Sequence, residues 1–408
     1  MPPKTYPYAT LAVLTGLNVL NYIDRNMLLG VQPLVQKEFN INDAQTGFLT
    51  SAFFIVYMVA APLVGWMGDR FPRKNIILIG IAVWSGFTLL TWLVHDYNQL
   101  LFRHTIVGIG EASYATIAPT LVADSFPIAR RGRMLSIFYL GLPAGSALGI
   151  LLGGPLGQQF GWRVPFMLAG IPGFLLAFVF WLLPEPERGQ TEVTEFSVER
   201  STVLGLARNG AFITACLGMA MYTFAVGGLQ VWIPTFLHRV RGMSVARAAI
   251  TFGLIALLNG LVATVLGGWL GDRMLKRHEG AYYRFSGIAM LVAIPLMVLA
   301  VYASGRLMLP AIFFAVFALL IGTGPSNTAV VNSVDAPIRS SALAVNTFVI
   351  HLLGDAFSPW LIGKISDRTS LQTAFWAAFA AAGFSAFFFL YGVRFAPKLK
   401  AASTAAPS

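Results

Sequence analysis

The sequence has few charged residues and almost no cysteine. Only 11% of its 408 residues are charged, and Cys216 is the single cysteine. Soluble domains carry about 25% charged residues, so this chain lacks the charge needed to solvate a globule of its size. One cysteine excludes an intrachain disulfide framework, and together with five scattered histidines it makes no zinc site. The hydrophobic majority, 56% of the residues, indicates an integral membrane protein whose surface faces lipid.

Motifs of nucleotide-driven and hydrolytic chemistry are missing as well. The only Gly-Lys pair, Gly363-Lys364, is followed by Ile365, so the sequence contains no phosphate-binding P-loop. It also contains no H-E-x-x-H and no G-x-S-x-G motif. We therefore expect no enzyme activity, no metal and no cofactor, and we expect any transport to use an ion gradient or to run downhill.

Long apolar segments predict an all-α integral membrane fold. A helix needs about 20 apolar residues to cross the hydrocarbon layer, and twelve segments of this kind are bounded by charged or turn residues. The N-terminal segment reads as a first span and not as a cleaved signal. The predicted spans are 8–32, 46–66, 75–95, 98–123, 134–158, 164–183, 211–236, 247–270, 282–303, 307–331, 340–363 and 372–394.

The longest polar stretch divides the spans into six and six. It predicts an N-terminal bundle (1–183), a cytoplasmic linker (184–208) and a C-terminal bundle with a short tail (209–408). The loops on the side of the termini hold more than twice as many lysines and arginines as the opposite loops. This positive-inside asymmetry places both termini in the cytoplasm of a multi-pass protein, in the inner or plasma membrane if the source is bacterial. The net charge of +11 then belongs to the inner membrane face, and nucleic-acid binding is not needed to explain it.

A six-residue motif ends the second span of each half. GWMGDR at Gly65–Arg70 recurs as GWLGDR at Gly268–Arg273, and such duplicated six-helix units are typical of secondary transporters, whose substrate site lies between the repeats. The first copy resembles the loop signature of the major facilitator superfamily, which implies that Asp69 helps to latch the cytoplasmic side closed. The alternative to this gating role is that the charges of the loop only set its orientation in the membrane and that its glycines only form a turn. The candidate gate residues are Gly65, Gly68, Asp69, Arg70, Arg73, Lys74, Asp272 and Arg273.

Three carboxylates lie deep within predicted spans: Asp24, Glu111 and Asp355. A charge inside the membrane is costly unless it is paired, so such residues usually face the interior of the bundle and act there. Burial disfavours the carboxylate anion whereas a nearby arginine favours it, and a group under both influences can exchange a proton. We predict that Glu111 is the principal proton carrier, that Asp24 is its coupled partner, and that Asp355 takes part.

Glycine and proline predict special packing in two spans. Span five carries glycines at a period of four, from Gly141 to Gly157, and small residues at this spacing let two helices approach closely. In span ten, Pro325 removes a helix hydrogen bond, which predicts a fixed kink or a hinge.

Several segments spread over nearly the whole chain carry a sharper resemblance. They include Asn21–Arg25 (NYIDR), Gly108–Tyr114 (GIGEASY), Arg133–Tyr139 (RMLSIFY), Glu185–Gly189 (EPERG) and Gly354–Pro359 (GDAFSP). Together they resemble the spinster family of the major facilitator superfamily. The resemblance implies a proton-linked transporter of an amphiphilic anionic lipid, a lysophospholipid or a sphingosine-1-phosphate-like molecule, that acts by alternating access as a monomer among membrane lipids. A transporter of a small organic anion or drug is the alternative. A membrane-bound lipid enzyme is disfavoured because the deep acids have no metal-ligand or nucleophile partners, and a channel or signalling receptor is disfavoured by the repeat.

Both deep arginines, Arg25 and Arg103, lie in the first half. Arginine offers a fork of charge-assisted donors to phosphate oxygens, so we expect the lipid head group to dock on the N-terminal bundle. The alternatives are that each arginine only neutralises a neighbouring acid, and that Asn18 is interhelical hydrogen-bond glue. The candidate substrate-binding residues are Arg25, Arg103, Asn18, Asn21, Tyr22, Tyr114 and His351.

Overall fold

The computed structural model describes residues 6–186, 205–275, 278–334 and 338–397, and these residues form helices and no strand. Most of the predicted linker lies outside them. The all-α fold is therefore confirmed for the described part of the chain. Its helices are α1 (Tyr6–Phe39), α2 (Asp43–Arg70), α3 (Arg73–Leu89), α4 (Tyr97–Ser125), α5 (Ile128–Tyr139), α6 (Gly141–Phe160), α7 (Val164–Leu182), α8 (Gly210–Arg239), α9 (Val245–Leu275), α10 (Ala281–Tyr302), α11 (Met308–Leu320), α12 (Thr323–Asn332), α13 (Arg339–Ile350), α14 (Ser358–Arg368), α15 (Leu371–Ala374) and α16 (Trp376–Gly392).

Eleven helical segments within the described residues are long and apolar enough to cross a membrane. They correspond to predicted spans two to twelve. The first span, α1, is not among the eleven although its 34 residues could reach about 50 Å. Asn18, Asn21, Asp24 and Arg25 interrupt its apolar sequence. These polar side chains lower the hydropathy of α1 and explain why it is not among the eleven.

Prolines divide two of the predicted spans. Span five is split at Leu140 between α5 and α6, and span ten is split between α11 and α12. Each break lies about four residues before a proline, Pro143 or Pro325. Proline lacks the N–H that would bond the carbonyl four residues earlier, and its ring clashes with that carbonyl. The kink predicted in span ten is confirmed.

Span eleven is not the continuous helix that was predicted. After α13 the chain makes a π-helical turn from His351 to Asp355, in which Gly354 has non-helical angles, and α14 begins at Ser358. Pro359 again lies four residues after the end of the irregular turn. A regular helix through the whole of the predicted span 340–363 is therefore wrong, because the wider turn rotates the residues that follow it.

The chain forms two compact units that do not follow the order of the sequence. The first contains the described residues within 1–195, 227–257 and 355–375, and the second those within 196–226, 258–354 and 376–408. Parts of α8, α9 and the α14 region therefore group with the first half of the chain. The predicted division into two six-span bundles with a linker at 184–208 is based on the sequence repeat, and it stays a prediction.

The glycines of α6 pack directly against α1. A Cβ atom added at Gly149 would lie 2.5 Å from the carbonyl oxygen of Ile23, which is closer than real Cβ contacts come. Each of the five glycines at the predicted period of four would meet an α1 atom in this way. The close approach predicted from the spacing is confirmed, and its partner is the helix that carries Asp24 and Arg25.

Replacing Gly149 with alanine is expected to destabilise the protein, because the two backbones must separate to admit a methyl group. Overpacking of this kind costs about 1–3 kcal/mol, so the midpoint of thermal unfolding in detergent should fall by several degrees. Gly132→Ala is the matched control, since Gly132 is exposed on α5 with nothing within 4 Å of its added Cβ. Equal unfolding midpoints for the two variants would contradict the packing argument.

Candidate functional site

The centre of the first unit contains a buried ion pair between α1 and α4. The Arg25 Nε atom donates to Glu111 Oε2 at 2.9 Å, and Arg25 Nη2 lies 2.8 Å from the same oxygen. The Glu111 side chain is fully buried and that of Arg25 is 13% exposed. Glu111 Oε1 has no hydrogen-bond partner among the described residues. One oxygen of this carboxylate thus holds the arginine, and the other is available to a proton.

Asp24 does not pair with the arginine next to it in the sequence. Its Oδ2 atom accepts a hydrogen bond from the Thr88 hydroxyl on α3, while its Oδ1 atom is buried without a hydrogen-bond partner in the described part of the chain. Asp24 interacts electrostatically with Arg103 and with Arg25, and Glu111 interacts electrostatically with Asp24. The two carboxylates that were predicted to be coupled therefore lie in one electrostatic cluster.

Arg103 is held by neutral partners. Its Nε atom donates to the Phe87 carbonyl at 3.0 Å, and its Nη1 atom lies 3.2 Å from His104 Nδ1. The guanidinium stacks over the ring of Phe166 at 4.8 Å. Its Nη2 atom is buried and has no hydrogen-bond partner among the described residues. Arg103 thus contributes a positive charge near Asp24 without a direct ion pair.

Four aromatic rings surround the guanidinium of Arg25, and we call them the aromatic cage. The Arg25 Cζ atom lies 4.9 Å from the ring centroids of Tyr22 and Phe53, 5.1 Å from that of Tyr57 and 5.7 Å from that of Phe54. Tyr22 precedes Arg25 on α1, and the other three rings come from α2. All four distances fall within the range of cation–π attraction. Sequence reasoning found only Tyr22, because phenylalanines in an apolar helix give no signal of their own.

The other candidate binding residues of α1 and α4, Asn18, Asn21 and Tyr114, are buried. The Asn18 side chain donates to the Phe138 carbonyl at 2.9 Å, which is the interhelical role given as its alternative. The Tyr114 hydroxyl donates to the Leu14 carbonyl, and its ring packs against Trp84. Asn21 is fully buried. Contact of these side chains with a substrate stays a prediction.

Asp355 and His351 are separated by the irregular turn in span eleven. Asp355 belongs to the first unit, where it packs against α8: a Cβ atom added at Gly227 would lie 2.9 Å from Asp355 Cβ. It also interacts electrostatically with Tyr22. His351 belongs to the second unit. Asp355 thus interacts with Tyr22 on α1, and roles for Asp355 and His351 stay predictions.

Arg73 and Lys74 connect the first gate loop to neighbouring helices. The Arg73 Nη1 atom lies 2.6 Å from Asp124 Oδ2, and the Arg73 Nε atom lies 3.4 Å from Glu185 Oε1. Lys74 donates to the carbonyls of Trp181 and Leu183 and so caps the end of α7. These contacts tie α3, α4 and the end of α7 together within the first unit.

The two copies of the gate motif share one local geometry. Arg70 lies over Trp66 at 4.4 Å, and Arg273 lies over Trp269 at 5.5 Å. Gly68 packs against Ile117 of α4, as Gly271 packs against Pro325 of α12, whereas Gly65 has only ordinary contact. Asp69 is exposed, and Asp272 accepts a hydrogen bond from the Tyr282 hydroxyl at 2.8 Å. The gating role of Asp69 stays a prediction.

A second charged cluster, which the sequence did not indicate, lies at the opposite end of the first unit from the first gate loop. Arg239 makes a two-pronged contact with Asp43, with both nitrogen-to-oxygen distances at 2.7 Å. Ser366 donates to Asp43 Oδ2 at 2.6 Å, and Asp367 accepts from the backbone N–H groups of Asp43 and Ala44. We call these residues the far-face cluster. It joins the start of α2 to the ends of α8 and α14.

Known proteins resemble this chain over nearly its whole length. Residues 14–359 match the Major Facilitator Superfamily. The chain is 33% identical to Protein spinster of Drosophila melanogaster over 372 residues, which are 88% of this chain and 62% of that protein. It is 32% identical to the sphingosine-1-phosphate transporter SPNS2 of Xenopus tropicalis over 396 residues, covering 91% of this chain and 77% of the relative.

A solved structure has the same fold. It is a bacterial homolog of the human lysosomal transporter Spinster in an inward-facing and unoccupied conformation, with a TM-score of 0.86 and 25% identity, and the match covers 96% of this chain and 98% of that one. The similarity therefore includes the sequence, the helices and their arrangement. This chain belongs to the spinster family of the Major Facilitator Superfamily and is a multi-pass membrane transporter, not an enzyme.

Proposed function

We propose that this protein is a proton-linked secondary transporter that moves an amphiphilic anionic lipid by alternating access. One observation supports the proton coupling above all: Glu111 and Asp24 are buried carboxylates, and each has one oxygen bonded and one without a hydrogen-bond partner among the described residues. Buried ionisable groups in membrane helices are characteristic of proton relays. A carboxylate of this kind can gain or lose a proton without breaking its existing hydrogen bond.

The lipid substrate is supported by the relatives and by the distribution of charge. SPNS2 of Xenopus tropicalis is named as a sphingosine-1-phosphate transporter, and the two deep arginines of this chain both lie in the first unit. A lysophospholipid or a sphingosine-1-phosphate-like molecule would offer them a phosphate. A small organic anion is the second candidate, because the same arginines would bind a carboxylate or sulfonate.

Alternating access is supported by the far-face cluster. Asp43 is buried, and its carboxylate accepts hydrogen bonds from α1, α8 and α14. If both termini are cytoplasmic, this cluster lies at the outer membrane face and closes it, as expected of an inward-facing transporter. The cluster would have to separate whenever the protein opens to the outside. We propose that the protein works as a monomer in the inner or plasma membrane, with protons, its lipid substrate and the surrounding membrane lipids as partners.

Replacing Arg239 with glutamine is expected to open the far face more often. The change removes a charge-assisted pair worth about 1.5–3 kcal/mol, so the open population should rise roughly tenfold or more. A cysteine at Ser51, whose side chain is buried and accepts from the Trp360 N–H of α14, would report this. We would measure its alkylation by an impermeant maleimide added from the far side, in a Cys216→Ser background.

Arg163→Gln is the matched control for this experiment. Arg163 also forms an ion pair, with Glu38 at 2.7 Å, but that pair joins α7 to α1 within the N-terminal half of the sequence. The Arg163→Gln variant should leave the alkylation rate at position 51 unchanged. If Arg239→Gln behaves like this control, the far-face cluster does not act as a gate.

Transport by the purified protein in liposomes would test the function itself. We expect uptake of lysophospholipids or sphingosine-1-phosphate that accelerates when a pH gradient is imposed, and little uptake of their dephosphorylated analogues. Uptake that ignores the gradient would overturn the proton coupling. Uptake of short organic anions in preference to every lipid would replace the lipid by the second candidate.

A further inference from the structure

The aromatic cage addresses a difficulty that proton coupling creates. Among the described residues Glu111 forms the direct ion pair that balances the charge of Arg25, at 2.8 Å, and Asp24 adds an electrostatic interaction without a direct pair. When Glu111 takes up a proton, that balance disappears and a nearly buried cation remains. A buried charge that has lost its partner is strongly destabilised, so protonation of Glu111 would be disfavoured unless other groups stabilise the arginine.

The geometry of the rings fits this need. Four ring faces lie within 5.7 Å of the guanidinium carbon, and the attraction between a cation and a ring is stronger when the pair is removed from water. Phe53 is almost fully buried and stacks on Tyr57, so the α2 side of the cage is fixed by its own packing. The rings carry no charge and cannot lose their effect when a proton arrives.

We propose that the aromatic cage holds Arg25 in place as a cation while Glu111 carries a proton, and that it thereby sets the pH at which the transporter takes up its proton. The cage residues act through Arg25 and are positioning residues. The proposal rests on the proton coupling proposed above. It assigns to Phe53, Phe54 and Tyr57 a role that the apolar sequence of α2 does not indicate.

Other titratable and charged groups face the same pair. They are Tyr22 and Asp24 on α1, Tyr57 on α2, Arg103 and His104 on α4, and Asp355 in the irregular turn. Phe53 contacts both Arg25 and His104, because its ring centroid lies 4.9 Å from Arg25 Cζ and 5.3 Å from the His104 ring centroid. A test of the cage should therefore remove rings and leave every charge in place.

Leucine substitutions at Phe53 and Tyr57 meet that condition. Without a ring, the state with neutral Glu111 and a lone Arg25 loses more stability than the ion-paired state, so protonation requires a higher proton concentration. The pH midpoint of transport in proteoliposomes should move to lower pH by about half a unit for each ring removed. Tyr57→Phe keeps the ring and removes only the hydroxyl, which also bonds to Arg25, so its midpoint should move less than that of Tyr57→Leu.

Phe138→Leu is the matched control, because Phe138 is as buried as Phe53 and belongs to the same hydrophobic cluster but is not part of the cage. It should lower the thermal unfolding midpoint as much as Phe53→Leu does and leave the pH midpoint unchanged. If Phe53→Leu fails to fold, Tyr57→Leu against Tyr57→Phe gives the same comparison.

The outcomes separate the cage from the function. A pH-dependent wild type whose midpoint does not move in either leucine variant, or moves to higher pH, would overturn the cage and leave the proton coupling standing. A shift in Tyr57→Phe as large as in Tyr57→Leu would also overturn it, because the hydroxyl group would then be responsible. A wild-type rate that does not depend on pH would overturn the proton coupling itself, and the cage with it.

Discussion

Uptake driven by a pH gradient should fall to the level of protein-free liposomes when Glu111 is replaced by glutamine. Glutamine has nearly the same shape, and its side-chain oxygen can still accept the hydrogen bond that Arg25 Nε donates to Glu111 at 2.9 Å. It cannot gain or lose a proton near neutral pH. Exchange of labelled for unlabelled substrate without a gradient should therefore survive, since this exchange needs the binding site but no net proton movement.

A carboxylate on the same helix provides the control for this variant. Asp124 is also buried on α4, where it is paired with Arg73 at 2.6 Å. Asp124→Asn removes the same charge and should slow transport, because it breaks the contact with the first gate loop, but the rate should still depend on pH. Undiminished gradient-driven uptake in Glu111→Gln would remove Glu111 from the mechanism and leave Asp24 as the candidate carrier.

The spans and the deep carboxylates could be predicted because the membrane constrains both. The hydrocarbon layer demands apolar helices of a given length, and it makes each charge within them conspicuous. Thus Asp24, Arg25, Arg103 and Glu111 were found, and all lie in the first unit. The helix breaks are only partly predictable: each lies three or four residues before Pro143, Pro325 or Pro359, yet Pro119 and Pro295 lie inside unbroken helices.

The pairing of these charges could not be predicted. Asp24 is adjacent to Arg25 in the sequence, yet successive residues on a helix point about 100° apart, and Arg25 instead meets Glu111, which lies 86 positions away. The aromatic cage was hidden for another reason. The sequence has 32 phenylalanines, and nothing in the periodicity of an apolar helix distinguishes those that face lipid from those that face a guanidinium.

The far-face cluster shows a third limit. Asp43, Arg239 and Asp367 lie at the ends of helices. A charge at such a position is normally solvated and is interpreted as setting the orientation of the helix in the membrane. In the structure Asp43 is buried, because residues from two distant parts of the chain, Arg239 and the adjacent Ser366 and Asp367, converge on it. Only the tertiary fold brings together residues that are 196 to 324 positions apart.

Arg25→Ala should weaken the transport of phosphate-bearing lipids far more than that of their neutral analogues. The alternative is that Arg25 only neutralises an acid. The ion pair with Glu111 gives this alternative a geometric basis. The two roles differ in what Glu111 does next. If Glu111 becomes protonated, Arg25 has lost its carboxylate and can offer the same donors to a phosphate. Arg25 would then serve Glu111 and the head group in turn.

This sharing predicts a reciprocal effect of pH and substrate. A proton on Glu111 and an anion on Arg25 favour each other, because both states separate the ion pair, and linkage requires the effect to be equal in each direction. The affinity of the wild type for the anionic lipid should therefore rise as the pH falls through the midpoint of transport. Its affinity for a neutral analogue should change little. Binding measured by scintillation proximity over a pH series would show this difference.

The double variant decides between the roles. Losing charge-assisted hydrogen bonds worth about 2–3 kcal/mol should weaken binding of the anionic lipid roughly 30- to 150-fold in Arg25→Ala. If Arg25 binds the head group, Arg25→Ala combined with Glu111→Gln should be as weak as Arg25→Ala alone, because removing the acid does not restore a donor. If Arg25 only neutralises Glu111, the double variant should recover wild-type affinity for the anionic lipid. Equal losses for anionic and neutral lipids would also end the head-group assignment, since the missing charge would then act on the fold and not on the phosphate.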